Sequence, residues 1–231
     1  MVNKKEFIRF MVESGVLSFG EFKTKSGRLS PYFINTGNYR TGRQAAKLSD
    51  FYADCIHEGI EKGIIPKNLN ALFGPAYKGI PLAAGAASSL FTKYGLDVGY
   101  CYNRKEAKDH GEGGTLVGYK PNKGDTLIII EDVVTAGTAV RETLPQLKAA
   151  AEDINVPALI ISVDRMEKGT GDISATKELY TTYGIKTLPI VTIMDIKKAL
   201  ISGELSDLIS VDDTLLLRID AYMESYCVIE G

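Results

Sequence analysis

Apolar and polar residues alternate along this chain in two rhythms. Residues 3–13 set Phe7, Ile8, Phe10 and Met11 at helical spacing. A longer helical pattern runs from about Thr41 to Gly63 through Ala45, Leu48, Phe51, Tyr52, Cys55, Ile56 and Ile60. Between them, residues 16–35 read as irregular with short extended pieces, and the Ser30–Pro31 step disfavours helix at Ser30. From residue 70 onward, short apolar runs and helical patterns take turns: a strand over 70–74, a small-residue helix over 79–94 and a strand over 96–102. Residues 103–125 are polar, charged and Gly-rich. The continuous run Thr126–Ile130 has the character of a strand buried on both faces of a parallel sheet. A helix over 137–151, then strand, helix and strand over 156–163, 173–183 and 187–194, complete the alternation. Two helical stretches near 195–202 and 211–226 follow. This order predicts an α/β fold, a mostly parallel central sheet flanked by helices. With no repeat and no Pro/Gly/Ser linker, residues 1–231 read as a single domain with an N-terminal elaboration over about 1–40.

Composition narrows the classes. The 231 residues are 45% apolar, with 27 Lys and Arg against 29 Asp and Glu, a net charge of −2. That balance argues against a coat for nucleic acid or a binder of anionic membranes. No run approaches the roughly 18 apolar residues of a membrane helix, and the start, Met1 to Glu6, lacks the apolar segment of a signal peptide. Three widely spaced cysteines, Cys55, Cys101 and Cys227, form no metal pattern and fit reduced thiols of a cytoplasmic protein.

The most informative segment is Ile128–Ala139. A buried strand ends in Glu131 and Asp132, and the turn Thr135-Ala136-Gly137-Thr138-Ala139 leads into a helix. Successive backbone N–H groups, hydroxyls and a helix N-terminus favour a phosphate monoester. Gly137 is expected to let phosphate oxygens approach the backbone. Glu131 and Asp132 can accept hydrogen bonds from vicinal hydroxyls or hold a divalent cation through water. An acidic pair followed by an anion cradle suits a sugar phosphate. Neither GxxxxGK[ST] nor GxGxxG occurs.

Residues 128–139 resemble the ribose-phosphate motif of the type I phosphoribosyltransferases. Thr24–Asn35, Phe73–Pro81 and Asn103–Gly114 are similar to the bacterial and fungal orotate phosphoribosyltransferases, and the likeness runs from about Phe7 to Met194 in the same order. The Arg-Lys-Glu-x-Lys-x-His-Gly stretch from Arg104 is specific to them. Glu131 stands where close relatives often carry Asp, and nothing is carried over after Met194. The resemblance implies the type I phosphoribosyltransferase fold with a small N-terminal hood. It implies transfer of phosphoribose from 5-phosphoribosyl 1-diphosphate (PRPP) to orotate, with Mg²⁺, giving orotidine 5′-monophosphate and pyrophosphate in pyrimidine nucleotide synthesis.

Residue by residue, the resemblance gives PRPP the contacts of Lys25, Tyr77, Lys78, Arg104, Lys105, Lys108 and His110. It adds those of Glu131, Asp132, Val133, Val134, Thr135, Ala136, Gly137, Thr138 and Ala139. Lys105, Arg104, Lys108, His110 and Asp132 are the implied catalytic residues. Cations at that density, followed by Gly111, Gly113 and Gly114, suit a lid over 103–118 aimed at the growing charge of a diphosphate leaving group. Taken alone the stretch would read as a solvated surface loop, and joined to the 128–139 motif the functional reading prevails. His110 is assigned a positioning and charge role rather than that of general acid. In the family this loop reaches the neighbouring subunit's site, which implies a homodimer. The orotate ring is expected against Phe33 and Ile34, with Thr135 touching the base and Arg165 on its carboxylate, as suits a bidentate cation. Two competing readings stand beside this one. A phosphoribosyltransferase for another base would not need Arg165, and a non-catalytic PRPP sensor should lack the lid cations, which this chain retains.

Overall fold

The computed structural model describes residues 2–24, 27–104, 116–134, 137–169, 171 and 173–228. Helix α1 (Lys4–Glu13) opens the chain; the Asn3 side chain caps it by accepting from the Glu6 N–H at 3.1 Å. Strands β1 (Leu17–Lys23) and β2 (Leu29–Ile34) pair antiparallel as a separate two-stranded sheet. Residues 16–35 are thus a hairpin, more regular than their sequence suggests; an irregular register between Phe19 and Phe22 breaks the simple alternation that would have marked the strands. A short 3₁₀ turn, Thr36–Asn38, leads on to α2 (Gly42–Glu61). Thr41 and Gln44 close a reciprocal capping box at its start.

The alternation expected from residue 70 is present. It comprises β3 (Leu69–Phe73), α3 (Gly79–Tyr94), β4 (Gly99–Asn103), β5 (Leu116–Gly118), β6 (Thr126–Ile130), α4 (Thr138–Ala150), β7 (Ala158–Asp164), α5 (Ala175–Tyr183), β8 (Lys186–Thr192), α6 (Ile193–Ile201) and α7 (Asp213–Tyr226). Three details differ from expectation. β4 begins only at Gly99, and the polar stretch 103–125 contributes β5, three residues paired antiparallel to β4. The strand expected to reach Met194 stops at Thr192, because the Thr192 hydroxyl and the Asp195 carboxylate form a capping box that starts α6 at Ile193.

The six strands lie in the order β5-β4-β3-β6-β7-β8, with β4, β3, β6, β7 and β8 mutually parallel. The apolar run of β6 feeds both faces. Ile128 and Ile130 pack with residues of α1, α2, α3, α6 and α7, while Leu127 and Ile129 pack with residues of α4 and α5. All four are fully buried, each side chain stabilising the fold by roughly 1.5–3 kcal/mol. From β3 the chain first builds outward through α3 to β4, then returns to place β6 on the other side of β3. The switch point between β3 and β6 opens a crevice at the carboxyl ends of the strands, where ligands of open α/β sheets bind.

Candidate active site

Adjacent strand ends supply the site. β3 ends in Gly74-Pro75-Ala76-Tyr77-Lys78, folded so tightly that a Cβ on Gly74 would lie 2.1 Å from the Gly79 carbonyl oxygen. The Ala76–Tyr77 peptide is cis, and the Ala76 N–H donates to Asn103 Oδ1 at 2.8 Å. β6 ends in Glu131 and Asp132, and β7 runs into Arg165. A cavity of about 610 Å³ lies over the first two strand ends, lined by Tyr77, Lys78, Arg104, Glu131, Ala139 and Thr143 among others. This is a normal volume for a small-molecule site. The Arg104 Nε is buried there with no hydrogen-bond partner among the described residues. A second cavity of about 180 Å³ is lined by Tyr39, Tyr52, Lys78 and Asp132 among others.

The backbone of the acidic pair is pinned. The Tyr52 hydroxyl donates to the Glu131 carbonyl at 2.7 Å, and Ser162 donates to the Asp132 carbonyl through its hydroxyl at 2.6 Å and its N–H at 2.9 Å. The two side chains then differ in environment. Asp132 is buried and well supplied with donors: Thr36 Oγ1 at 2.7 Å, Lys78 Nζ at 2.9 Å and the Val133 N–H at 2.9 Å. Glu131 is only partly covered, yet burial pushes its carboxyl up to about 7, with the neighbouring Asp132 charge adding to the effect. Perturbation of this kind beside a polar crevice marks a candidate functional group.

A phosphoribosyl transferase domain model matches residues 35–193, which takes in all of this geometry. The chain belongs to the phosphoribosyltransferase family. Orotate phosphoribosyltransferase of Clostridium acetobutylicum is 51% identical over 97% of this chain and 98% of its own length. That of Clostridium beijerinckii is 50% identical over 96% and 97%. Among solved structures, the orotate phosphoribosyltransferase of Francisella tularensis superposes with a TM-score of 0.80 at 36% identity, covering 96% of this chain and all of that one. The chain is thus a member of the orotate phosphoribosyltransferase branch of the family.

Within this phosphoribosyltransferase, the structure brings Tyr77, Lys78, Arg104, Glu131 and Ala139 to one cavity. Val133 and Val134 continue from β6, and Thr138 opens α4. Gly137 has a positive φ of +68°, and a Cβ there would meet the Leu179 side chain at 3.2 Å. The left-handed backbone and the proximity of α5 are thus reasons of the fold itself for glycine at this position. Lys25, Lys105, Lys108, His110, Thr135 and Ala136 lie outside the described residues. Phe33 is exposed and stacks on Phe22, with ring centroids 5.4 Å apart, and Ile34 is half-buried. Arg165 does not stand alone: its Nη2 lies 2.6 Å from Glu167 Oε1 and 3.3 Å from the Tyr222 hydroxyl of α7, and its guanidinium lies over the Tyr32 ring at 5.5 Å.

Several site residues escaped the sequence reading. Thr36 follows the hairpin and reaches Asp132, 96 positions away. Tyr52 and Ser162 read as helix and strand core. Glu167, two positions after Arg165, has no sequence signal of its own. Tyr222 sits after Met194, in the expected helical stretch 211–226 to which the resemblance assigns no role. Its one local signal is an apolar period shared with Leu215, Ile219 and Met223, which predicts burial but no function.

Proposed function

We propose that this chain catalyses transfer of the 5-phosphoribosyl group from PRPP to orotate, giving orotidine 5′-monophosphate and pyrophosphate. The observation that carries the reading is the row of chemistries at four consecutive strand ends, those of β4, β3, β6 and β7. Lys78 and Arg104 supply positive charge, Glu131 and Asp132 supply hydroxyl acceptors, and Arg165 supplies a cation for a carboxylate. In this reading the turn 135–139 and the start of α4 receive the 5-phosphate. Glu131 and Asp132 accept from the ribose 2- and 3-hydroxyls. Lys78 exchanges its Asp132 partner for the diphosphate, joined by Arg104 and by Lys25, Lys105, Lys108 and His110.

The bond from the anomeric carbon to the diphosphate breaks as the bond to the orotate ring nitrogen forms, and the proton of that nitrogen leaves with the diphosphate. Negative charge grows on the leaving group, so Arg104 and Lys105 stabilise the transition state more than the ground state. His110 donates a hydrogen bond and charge. Phe33 and Ile34 bear on the ring, with Thr135 beside it, and Arg165 holds the carboxylate. The paired carboxylates fit Mg²⁺, which keeps several waters and binds through one or two carboxylates together with substrate phosphates. Glu131 and Asp132 would hold it through water, and it would supply charge neutralisation on the diphosphate. We take the working unit to be a homodimer in which the 103–118 loop serves the neighbouring site, with residues 1–40 as a hood over the base. The three buried free thiols fit the reducing cytoplasm.

The test is a spectrophotometric assay of orotate loss with PRPP, with and without Mg²⁺, beside uracil, hypoxanthine and adenine. The expected result is Mg²⁺-dependent consumption of orotate alone. Turnover of a different base would refute the substrate assignment. Calorimetric binding of PRPP with no turnover of any base would refute catalysis and leave a sensor.

A further inference from the structure

The base-recognising arginine of the proposed reaction already has an anionic partner. Arg165 and Glu167 meet at 2.6 Å, with side chains only 20% and 19% exposed. In so sheltered a place a pair of charges is screened much less than on the open surface. Glu167 is held from two further sides. The Tyr222 hydroxyl donates to its Oε1 at 2.6 Å, and Arg28, which lies over the Tyr226 ring at 4.8 Å, approaches its Oε2 at 3.9 Å. The neighbouring Asp164 accepts from the Met166 N–H at 2.8 Å and from Thr176 at 3.4 Å. Among the described residues, the guanidinium groups of Arg165 and Arg28 thus both face the Glu167 carboxylate. The Arg165 Nε is also buried with no hydrogen-bond partner among the described residues, an unused donor on the group that would receive a ligand carboxylate.

We propose that Glu167, clamped by Tyr222 of the C-terminal helix, is a resident counter-ion with which the carboxylate of the base competes for Arg165. Glu167 thereby determines how strongly the site selects a carboxylate-bearing ring. This rests on the reading of Arg165 as the orotate cation. With no base bound, Glu167 keeps a half-buried arginine compensated, since an unpaired charge in such a place is costly. With orotate bound, the ligand carboxylate takes a share of Arg165 from Glu167, which keeps Arg28 as its second cation. Glu167 is thus a specificity-determining residue and Tyr222 a positioning residue.

The test is steady-state kinetics of Glu167→Gln, which keeps the shape and the acceptor oxygen and removes the charge. The expected result is a KM for orotate lowered by about three- to tenfold, in line with the loss of one sheltered charge–charge competitor. The KM for PRPP stays within about twofold, as PRPP does not meet this cluster. Preference for orotate over uracil rises by the same factor. A purely structural role for Glu167 would raise KM or lower turnover for both substrates. The second variant is Tyr222→Phe in the Glu167→Gln background. It changes the orotate KM by less than about twofold, because the charge whose position the hydroxyl sets is already gone. An unchanged or raised orotate KM in Glu167→Gln, with wild-type protein turning over orotate, overturns the inference alone. Wild-type protein that turns over no orotate removes the reading beneath it, and the inference with it.

Discussion

Replacing Glu131 by Gln tests the electrostatics of the acidic pair. The Glu131 carboxyl sits at about 7 against an ordinary value of 4.5, raised first by burial and then by Asp132. A carboxyl whose folded value lies above its unfolded one takes up protons on folding. The stability it contributes is complete below about pH 4.5 and is lost as pH rises toward 7. Two and a half pKa steps correspond to about 3 kcal/mol. The partial exposure of the group and the reach of solvent into the cavity reduce this to about 2 kcal/mol between pH 5 and 8. Gln is close in shape to the protonated acid and does not titrate. The variant and wild type should therefore unfold nearly together at pH 5. By pH 8 the variant should be more stable by about 2 kcal/mol, or about 4–8 °C in Tm for a chain of this size. The assay is thermal unfolding of both proteins across this pH range, read as a difference so that every other titrating group cancels. A flat difference, or one that shrinks as pH rises, would refute the account of Glu131 as a destabilised buried charge. The same variant should bind PRPP more weakly near neutrality, since the charged acceptor for a ribose hydroxyl is gone. Stability and function pull in opposite directions at this residue.

Arg104→Ala should lower kcat by about 30-fold or more, the scale of losing one charge aimed at a developing anion, while the orotate KM moves little; an orotate KM raised in proportion would place Arg104 at the base instead. Thr36→Val removes the 2.7 Å bond to Asp132. It should raise the KM for PRPP by about tenfold or more, the scale of one hydrogen bond to a charged group, and a change confined to orotate would sink that assignment. Gly137→Ala forces a side chain onto a φ of +68° and against Leu179. It should destabilise the fold by about 1–2 kcal/mol and weaken PRPP binding, and chemical denaturation showing no loss would refute the strain.

Much of the architecture is local in origin and was legible in the residues. The all-apolar run Thr126–Ile130 specifies a strand covered on both faces, and the alternation around it specifies a parallel sheet. Thr41 with Gln44 and Asn3 with Glu6 start helices through contacts that span three positions. The acidic pair followed by a turn and a helix announces a sugar-phosphate site, because strand, cradle and helix are consecutive in the chain. What the tertiary structure alone decided is which distant groups meet at that site. Thr36 and Lys78 converge on Asp132 across 96 and 54 positions because the crossover after β4 returns the chain to the far side of β3. Tyr222 reaches Arg165 across 57 positions because the apolar stripe of α7 packs beneath the hairpin, where Tyr222 meets the Tyr32 ring edge-on. The rise of Glu131 depends on burial that no neighbouring residue encodes. Periodicity and capping act over a few residues and survive as sequence patterns. Desolvation and long-range hydrogen bonds depend on which surfaces the folded chain presses together, and they take their values only there.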